Sequence, residues 1–152
     1  MAFCIDSSGW LDGWTRNYPP DVFPTLWRKI EELIDAKEII ASEEVYVELA
    51  KKDDDLHDWI QGRKSMLVPP DEEIQRKVAE LLGKYPRLVD TLKGRSQADP
   101  FVIATAVVFG AVVVTGELPG TPEKPRIPFV CQAEGVRSIN FLEMIRELGL
   151  TF

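Results

Sequence analysis

The sequence has one histidine and two cysteines, and those shortages remove several common site chemistries at once. His57 alone cannot build a multi-histidine zinc site, and it is expected as a partly buried or surface residue of a helix. Cys4 and Cys131 are too few and too far apart for a disulfide scaffold or a cysteine zinc site, so both read as buried thiols in a reducing compartment. A long apolar run is also missing. The stretch from Phe101 to Val114 falls short of the ~18 residues of a membrane span, and Gly110 divides it. Without the basic and apolar regions of a secretion signal at the N-terminus, a cytoplasmic protein is the expectation. Positive charge is scarce: 18 Lys and Arg face 25 Asp and Glu, for a net charge of −7. Overall charge therefore cannot hold a nucleic acid, although local basic clusters or metal ions at an acidic site still could. Gly9 and Gly13 do not fit the dinucleotide fingerprint, and no P-loop is present.

What is present is the composition of one soluble domain, 45% hydrophobic and 28% charged over residues 1–152, with no repeat, linker or low-complexity tract. Apolar residues at helical spacing predict an amphipathic helix over Phe23 to Ala36. Glu38 to Ala41 is a short strand candidate, followed by Ser42 as the N-cap of a helix to Lys51. The run Asp53-Asp54-Asp55 opens another helix reaching Gln61, and its charge suits a helix start. Pro69-Pro70 precedes a helix over Asp71 to Leu82, and a short helical piece is expected over Pro86 to Leu92. Gly94 to Ala98 is a loop. Asp99-Pro100 reads as N-cap and first residue of a helix that Gly110 stops. Ala111 to Thr115 is a valine-rich strand suited to a sheet covered on both faces. Gly116 to Pro128, with four prolines and two glycines, is a loop. Val136 to Ile139 is a last strand candidate before a closing helix over Asn140 to Leu148. Short apolar strands alternating with helices predict a three-layer α/β/α domain. Its parallel sheet should have four or five strands, with Ala2–Ile5 and Ala111–Val114 as central neighbours.

The first of those strands ends on Asp6, an odd place for a carboxylate unless it has a task there. Ligands of open parallel sheets bind beyond the carboxyl ends of the strands. Glu117 follows the strand that finishes at Thr115, Asp99 heads the helix feeding that strand, and Glu48 lies on the helix after the second strand. These acids can converge on one edge of the sheet. Carboxylates held together in poor contact with water repel and raise one another's pKa, a cost that divalent cations relieve. Hard oxygen ligands suit Mg²⁺ or Mn²⁺, which can activate water and polarise a phosphodiester. A phosphatase of the haloacid-dehalogenase type, which also begins with an Asp ending its first strand, needs a second Asp where this chain has Ser8.

With "FCIDSS" at the start, "SEEVYVEL" in the first third, "ADPFVIATA" in the last third and "VVVTGE" after it, the chain resembles the PIN-domain ribonucleases, including the VapC-type toxins of toxin–antitoxin pairs. The segment "YPPDVFP", Tyr18 to Pro24, is similar to a prokaryotic branch of PIN-like proteins. The resemblance runs over essentially the whole chain. It implies an endoribonuclease dependent on Mg²⁺ or Mn²⁺, with Asp6, Glu48, Asp99 and Glu117 as its acids. Of these, Asp6, Asp99 and Glu117 would ligate the metal. Ser7 would support Asp6, and Thr115 would orient the acids from behind. At position 117 the family has Asp, so this chain's ligand is longer by one methylene. RNA as substrate, an antitoxin protein and a homodimer are the partners implied. Trp10, Trp14 and Trp27 are expected as core residues or as anchors of a dimer interface. Arg63, Lys64, Arg95, Lys124 and Arg126, in or beside loops, are candidates to hold phosphates. The alternative is a PIN-like binding or assembly module whose site has decayed.

Overall fold

A computed structural model describes residues 1–89 and 97–152. Among the described residues five short strands form one parallel sheet in the order β3-β2-β1-β4-β5. These are β1 (Phe3–Ile5), β2 (Ile39–Ser42), β3 (Leu67–Val68), β4 (Val112–Val114) and β5 (Ser138–Ile139). The expected central pair is there: β1 and β4 are parallel neighbours, with Phe3 opposite Val112 and Ile5 opposite Val114. All residues of β1, β2 and β4 are buried, which explains why these strands are continuous apolar runs rather than alternating ones.

Helices flank the sheet: α1 (Ser7–Leu11), α2 (Pro24–Asp35), α3 (Glu43–Leu49), α4 (Asp54–Gln61), α5 (Glu72–Lys84), α6 (Asp99–Phe109), α7 (Ile127–Ala133) and α8 (Phe141–Glu147). The result is the three-layer α/β/α architecture. Capping chemistry sets most of the boundaries. The side chains of Asp6, Ser42, Asp53, Asp71 and Asn140 each accept a backbone N–H from the first turn of the helix that follows. α6 is buried on nearly every side and packs across β1, β2 and β4 as well as α3, α5 and α7, which makes it the central helix of the domain. Gly110 ends it with φ of 64°, in the left-handed region that a side chain would resist.

Several expectations need correction. Asp99 is the first residue of α6 rather than its cap; Ala98 holds the cap position with helical backbone angles. Of the expected helix over Pro86 to Leu92, Pro86–Leu88 form a single 3₁₀ turn and Val89 is extended, while residues 90–92 lie outside the described residues, as do Arg95 and part of the Gly94 to Ala98 loop. The loop from Gly116 ends early, because α7 begins at Ile127 with Pro128 in its first turn, where a missing N–H costs nothing. β3 was not anticipated, and two residues give too little pattern to read. α1 was not anticipated either. It continues into a π-helical segment, Asp12–Asn17, in which Tyr18 N–H reaches the carbonyl of Gly13 at 2.9 Å.

This segment and α2 frame an aromatic cluster. Trp14 lies 5.0 Å from Trp27 and 5.4 Å from Trp59 between ring centroids, and Trp27 lies 5.9 Å from Phe141. Trp10 and Trp27 are buried and Trp14 is half-buried, so the tryptophans belong to the core of one chain and do not form an outward patch for a second copy. Arg63 also serves this core, with its guanidinium 4.3 Å above Trp59 and an ion pair to Glu31 at 2.9 Å. Both cysteines are buried free thiols, and burial pushes each up to about 12. Among the described residues no helix is long and apolar enough to cross a membrane.

Gly13 sits directly under Phe141: a Cβ there would lie 2.5 Å from the ring. Gly13→Ala is therefore expected to destabilise the protein by about 1–3 kcal/mol. Gly83 in α5 has nothing within 4 Å of such a Cβ, and Gly83→Ala should stabilise by about 0.5–1 kcal/mol. Urea midpoints of the two variants check the pair; a shift in the same direction for both would contradict this packing.

Candidate functional site

The strand order reverses direction across β1 and β4: β2 and β3 lie on one side of β1, β4 and β5 on the other. Such a reversal opens a crevice at the carboxyl ends of the strands. Asp6 follows β1 and Thr115 follows β4, so the crevice contains both. The backbone closes the junction, since Asp6 N–H donates to the carbonyl of Val114 at 3.0 Å.

Asp6 is 3% exposed, and its carboxylate is met by three hydrogen-bond donors. As N-cap of α1 it turns its side chain over the first turn, where Gly9 N–H reaches Oδ1 at 2.6 Å. The Ser8 hydroxyl lies 2.9 Å from Oδ1 and 3.0 Å from Oδ2, and the Thr115 hydroxyl donates to Oδ2 at 2.6 Å. Only glycine fits at position 9. A Cβ would come within 2.7 Å of the Val114 carbonyl and 3.2 Å of Asp6 Oδ1. Burial nevertheless wins over these donors: it pushes the Asp6 carboxyl up from 3.8 to about 7, with the Thr115 and Gly9 hydrogen bonds opposing and the charge of Glu117 adding to the rise.

The donors link the two strand ends. Ser8 Oγ accepts Gly116 N–H at 2.8 Å, and Thr115 Oγ1 accepts Glu117 N–H at 3.1 Å. The turn after β4 is thereby tied to the turn after β1, and Glu117 is set beside Asp6. The Glu117 carboxylate accepts Ile127 N–H at 3.2 Å and lies 3.6 Å from the Arg126 guanidinium. Arg126 thus pairs with an acid of the site itself.

The expected support from Ser7 is a correction. Among the described residues its buried hydroxyl has no hydrogen-bond partner, and Ser8 bonds Asp6 instead. The cause is cap geometry: the cap side chain folds back over the second and third residues of the helix, not the first. The sequence signal was available in Asp6-Ser-Ser-Gly9, an N-cap residue with a glycine at the position whose N–H it accepts.

Asp99 is buried at the start of α6 and Glu48 is half-buried on α3, which packs against both α1 and α6. The Glu48 carboxylate lies 3.8 Å from Lys52, in the turn after α3. Among the described residues no three His, Cys, Asp or Glu side chains stand close enough together to form a ready metal cage. The structure therefore brings Asp6 and Glu117 into one electrostatic neighbourhood and buries Asp99. It does not gather all four acids. The donor chemistry still suits a hard divalent cation, because a buried carboxyl next to a second acid gains from positive charge. His57 stacks on Tyr46 with centroids 4.2 Å apart, and Lys64 lies over the same ring.

One acidic residue of this region carried no sequence signal. Asp12 presses on the turn after β4 so closely that a Cβ on Gly116 would lie 2.0 Å from its Oδ2 and would have to displace that carboxylate.

Three comparisons bear on the fold. A family model described as a domain of unknown function, DUF4411, matches residues 3–152. No curated protein matches the sequence. Among solved structures, VapBC2 from Rickettsia felis bound to a DNA fragment from its promoter is similar, with 15% identity, a TM-score of 0.58, and coverage of 92% of this chain and 98% of that one. FitAcB from Neisseria gonorrhoeae is similar at 15% identity and a TM-score of 0.54, with the same coverage. At such identity the likeness establishes the fold, a PIN-like α/β/α domain.

The raised carboxyl makes a signed prediction for the metal-free protein. A folded value of about 7 against 3.8 unfolded means the native state binds more protons between about pH 4 and 7. Stability from this group is therefore full below that window and is lost as pH rises through it, by on the order of 4 kcal/mol at pH 8. Asp6→Asn, which keeps the shape, should melt at higher temperature than the wild type at pH 8 and show a flatter decline from pH 4 to 7. Parallel melting profiles for the two proteins would contradict the buried-charge account.

Proposed function

The chain belongs to the DUF4411 family, and from that premise and its PIN-like fold we propose that it is a metal-dependent endoribonuclease of the kind that serves as the toxin of a toxin–antitoxin pair. The observation that carries this reading is Asp6. It is a buried carboxylate at the switch point of a parallel sheet, surrounded by donors, raised in pKa, and faced by a second acid. Capping α1 alone does not require a carboxylate kept this far from water beside a second acid, whereas a site that binds a cation gains from that pairing. The likeness to VapBC2 and FitAcB supports the same direction.

In this reading Asp6, Asp99 and Glu117 hold Mg²⁺ or Mn²⁺, and Glu48 completes the acidic set. The ion, when bound, supplies charge at the phosphate and an acidified water. The protein's part is to place the carboxylates. Thr115 fixes Oδ2 of Asp6, and Gly9 fixes Oδ1. Ser8 holds the turn that carries Glu117, while Arg126 and Ile127 N–H orient the Glu117 carboxylate. Hydrolysis by activated water requires no side-chain nucleophile, and the buried thiols of Cys4 and Cys131, held near 12, are unsuited to be one. An antitoxin protein and a homodimer complete the proposal. Sedimentation as a species heavier than the 17.2 kDa of one chain is the expected result for the purified protein.

A second reading has its own observation. Glu117 is longer than the Asp usual in the PIN-domain ribonucleases that the chain resembles and is engaged by Arg126 and Ile127 N–H, and no ready metal cage is formed among the described residues. A PIN-like module that has lost activity and acts by binding fits those facts.

Calorimetry with Mn²⁺ and cleavage of a mixed RNA pool separate the two. The nuclease reading expects Mn²⁺ binding that Asp6→Asn removes, and cleavage that EDTA and Asp6→Asn both reduce to background. Glu48→Gln should reduce cleavage strongly and Glu44→Gln hardly at all, although both residues are half-buried on the same helix. Cleavage that survives EDTA and Asp6→Asn would refute the metal mechanism, and absence of Mn²⁺ binding in the wild type would favour the binding module.

A further inference from the structure

A cavity of about 430 Å³ opens beside the acidic site, lined by Asp12, Asn17, Tyr18, Asn140, Phe141 and Leu142. Its walls come from two places, the π-helical segment Asp12–Asn17 and the start of α8, just past β5. The helix type matters. In an α-helix, residues five apart point about 140° away from each other. A π turn closes its hydrogen bond five residues back, so Asp12 and Asn17 come to one side. Gly13 lets this turn sit on Phe141, whose ring forms a buried floor. The half-buried Tyr18 ring stacks on Phe141 at 5.8 Å and 27°.

Asp12 is the shared wall between cavity and site. Its carboxylate abuts Gly116, whose N–H donates to Ser8 Oγ, and Ser8 in turn bonds Asp6. A group seated in the cavity is therefore separated from the acidic crevice by one side chain and one glycine.

We propose that this cavity is a base subsite that takes one unpaired nucleobase of an RNA strand, guanine in preference to the other three, next to the phosphate held at the acidic crevice; the assignment to RNA rests on the nuclease reading above. Its volume is large enough to admit a base. The half-buried Tyr18 ring, packed by Phe23 and Phe141, gives the cavity an aromatic wall for a base to lie against. The polar groups choose among bases. The Asp12 carboxylate only accepts, and with up to four acceptor sites it has capacity beyond its ion pair with Arg16 at 2.6 Å. Asn140 Oδ1 is taken by Glu143 N–H at 2.8 Å, which leaves the Asn140 amide as donor. A carboxylate accepting at both oxygens complements the guanine edge, where N1–H and the N2 amino group are two adjacent donors, and the O6 beside them accepts from the Asn140 amide. Uracil presents one donor between two acceptors, and adenine and cytosine present a single donor group on that edge.

The test uses the intact chain in two arms. In EDTA, where no cleavage should occur, calorimetry measures binding of short single-stranded oligonucleotides that are all-uridine or carry one guanosine, and of guanosine monophosphate alone. The guanosine oligonucleotide should bind at least about five-fold more tightly than the all-uridine one, and Asp12→Asn should erase that difference, as should Asn17→Ala in part. In Mn²⁺, ends mapped in a mixed RNA pool should cluster at one position relative to guanosine, and Asp12→Asn should scatter them. Equal affinity for the two oligonucleotides overturns the proposal, as does a guanosine preference that Asp12→Asn leaves intact. Tight binding of the free mononucleotide with no discrimination between oligonucleotides also overturns it, in favour of a free-nucleotide site. A chain that cuts no RNA but keeps the Asp12-dependent preference refutes the nuclease and supports the subsite.

Discussion

The burial of one carboxylate, Asp6, is the constraint around which the carboxyl edge of this sheet is organised. A charge removed from water needs donors on every side, and the protein draws them from two turns distant in sequence: Gly9 N–H and Ser8 after β1, Thr115 after β4. The same contacts that satisfy the carboxylate tie the two central strands together at their ends. Ser8 and Thr115 also receive the N–H groups of Gly116 and Glu117, so the position of the second acid depends on the first. Gly9 is needed because the Val114 carbonyl approaches too closely for any Cβ, while Gly13 and Gly116 pack tightly under the Phe141 ring and the Asp12 carboxylate.

Even so, the donors do not outweigh desolvation, and the carboxyl stays raised to about 7. Folding tolerates that penalty because the rest of the core is generous. The strands β1, β2 and β4 and the central helix α6 are almost wholly buried and apolar. A protein of net charge −7 that acts on RNA would have to overcome repulsion of the phosphate chain. Concentrating acids in one crevice where cations offset them, and recognising bases through an aromatic face, is one physically consistent way to do so.

The π-helical turn connects the two regions. Its wider coil places Asp12 against Gly116 and Asn17 over the cavity, while Trp14 and Tyr18 join the aromatic cluster around Trp27 and Phe141. Extra-wide turns are costly by themselves and tend to occur where a site requires them. Here the cost is met by stacking of large rings in the core.

Much of the order of strands and helices, though not α1, β3 or α7, was legible in the sequence because it rests on local signals. Apolar runs mark β1 and β4, the caps Ser42, Asp53 and Asn140 mark helix starts, and Gly110 marks a helix end. Asp6 stood out for the same reason, as a charge at the end of a buried strand. Other features depend on residues far apart in sequence, and only the folded chain decided them. The exchange of Ser7 for Ser8 as partner of Asp6 follows from which side of a cap faces the neighbouring strand. The burial of the tryptophans within one chain follows from how α2 meets the π-helical turn, and the pairing of Arg126 with Glu117 from where α7 begins. The role of Asp12 depends on contact with Gly116, which lies more than a hundred residues later in the sequence. Local propensity and burial can be read along a chain, but a contact between distant turns exists only once the sheet has brought their strands together.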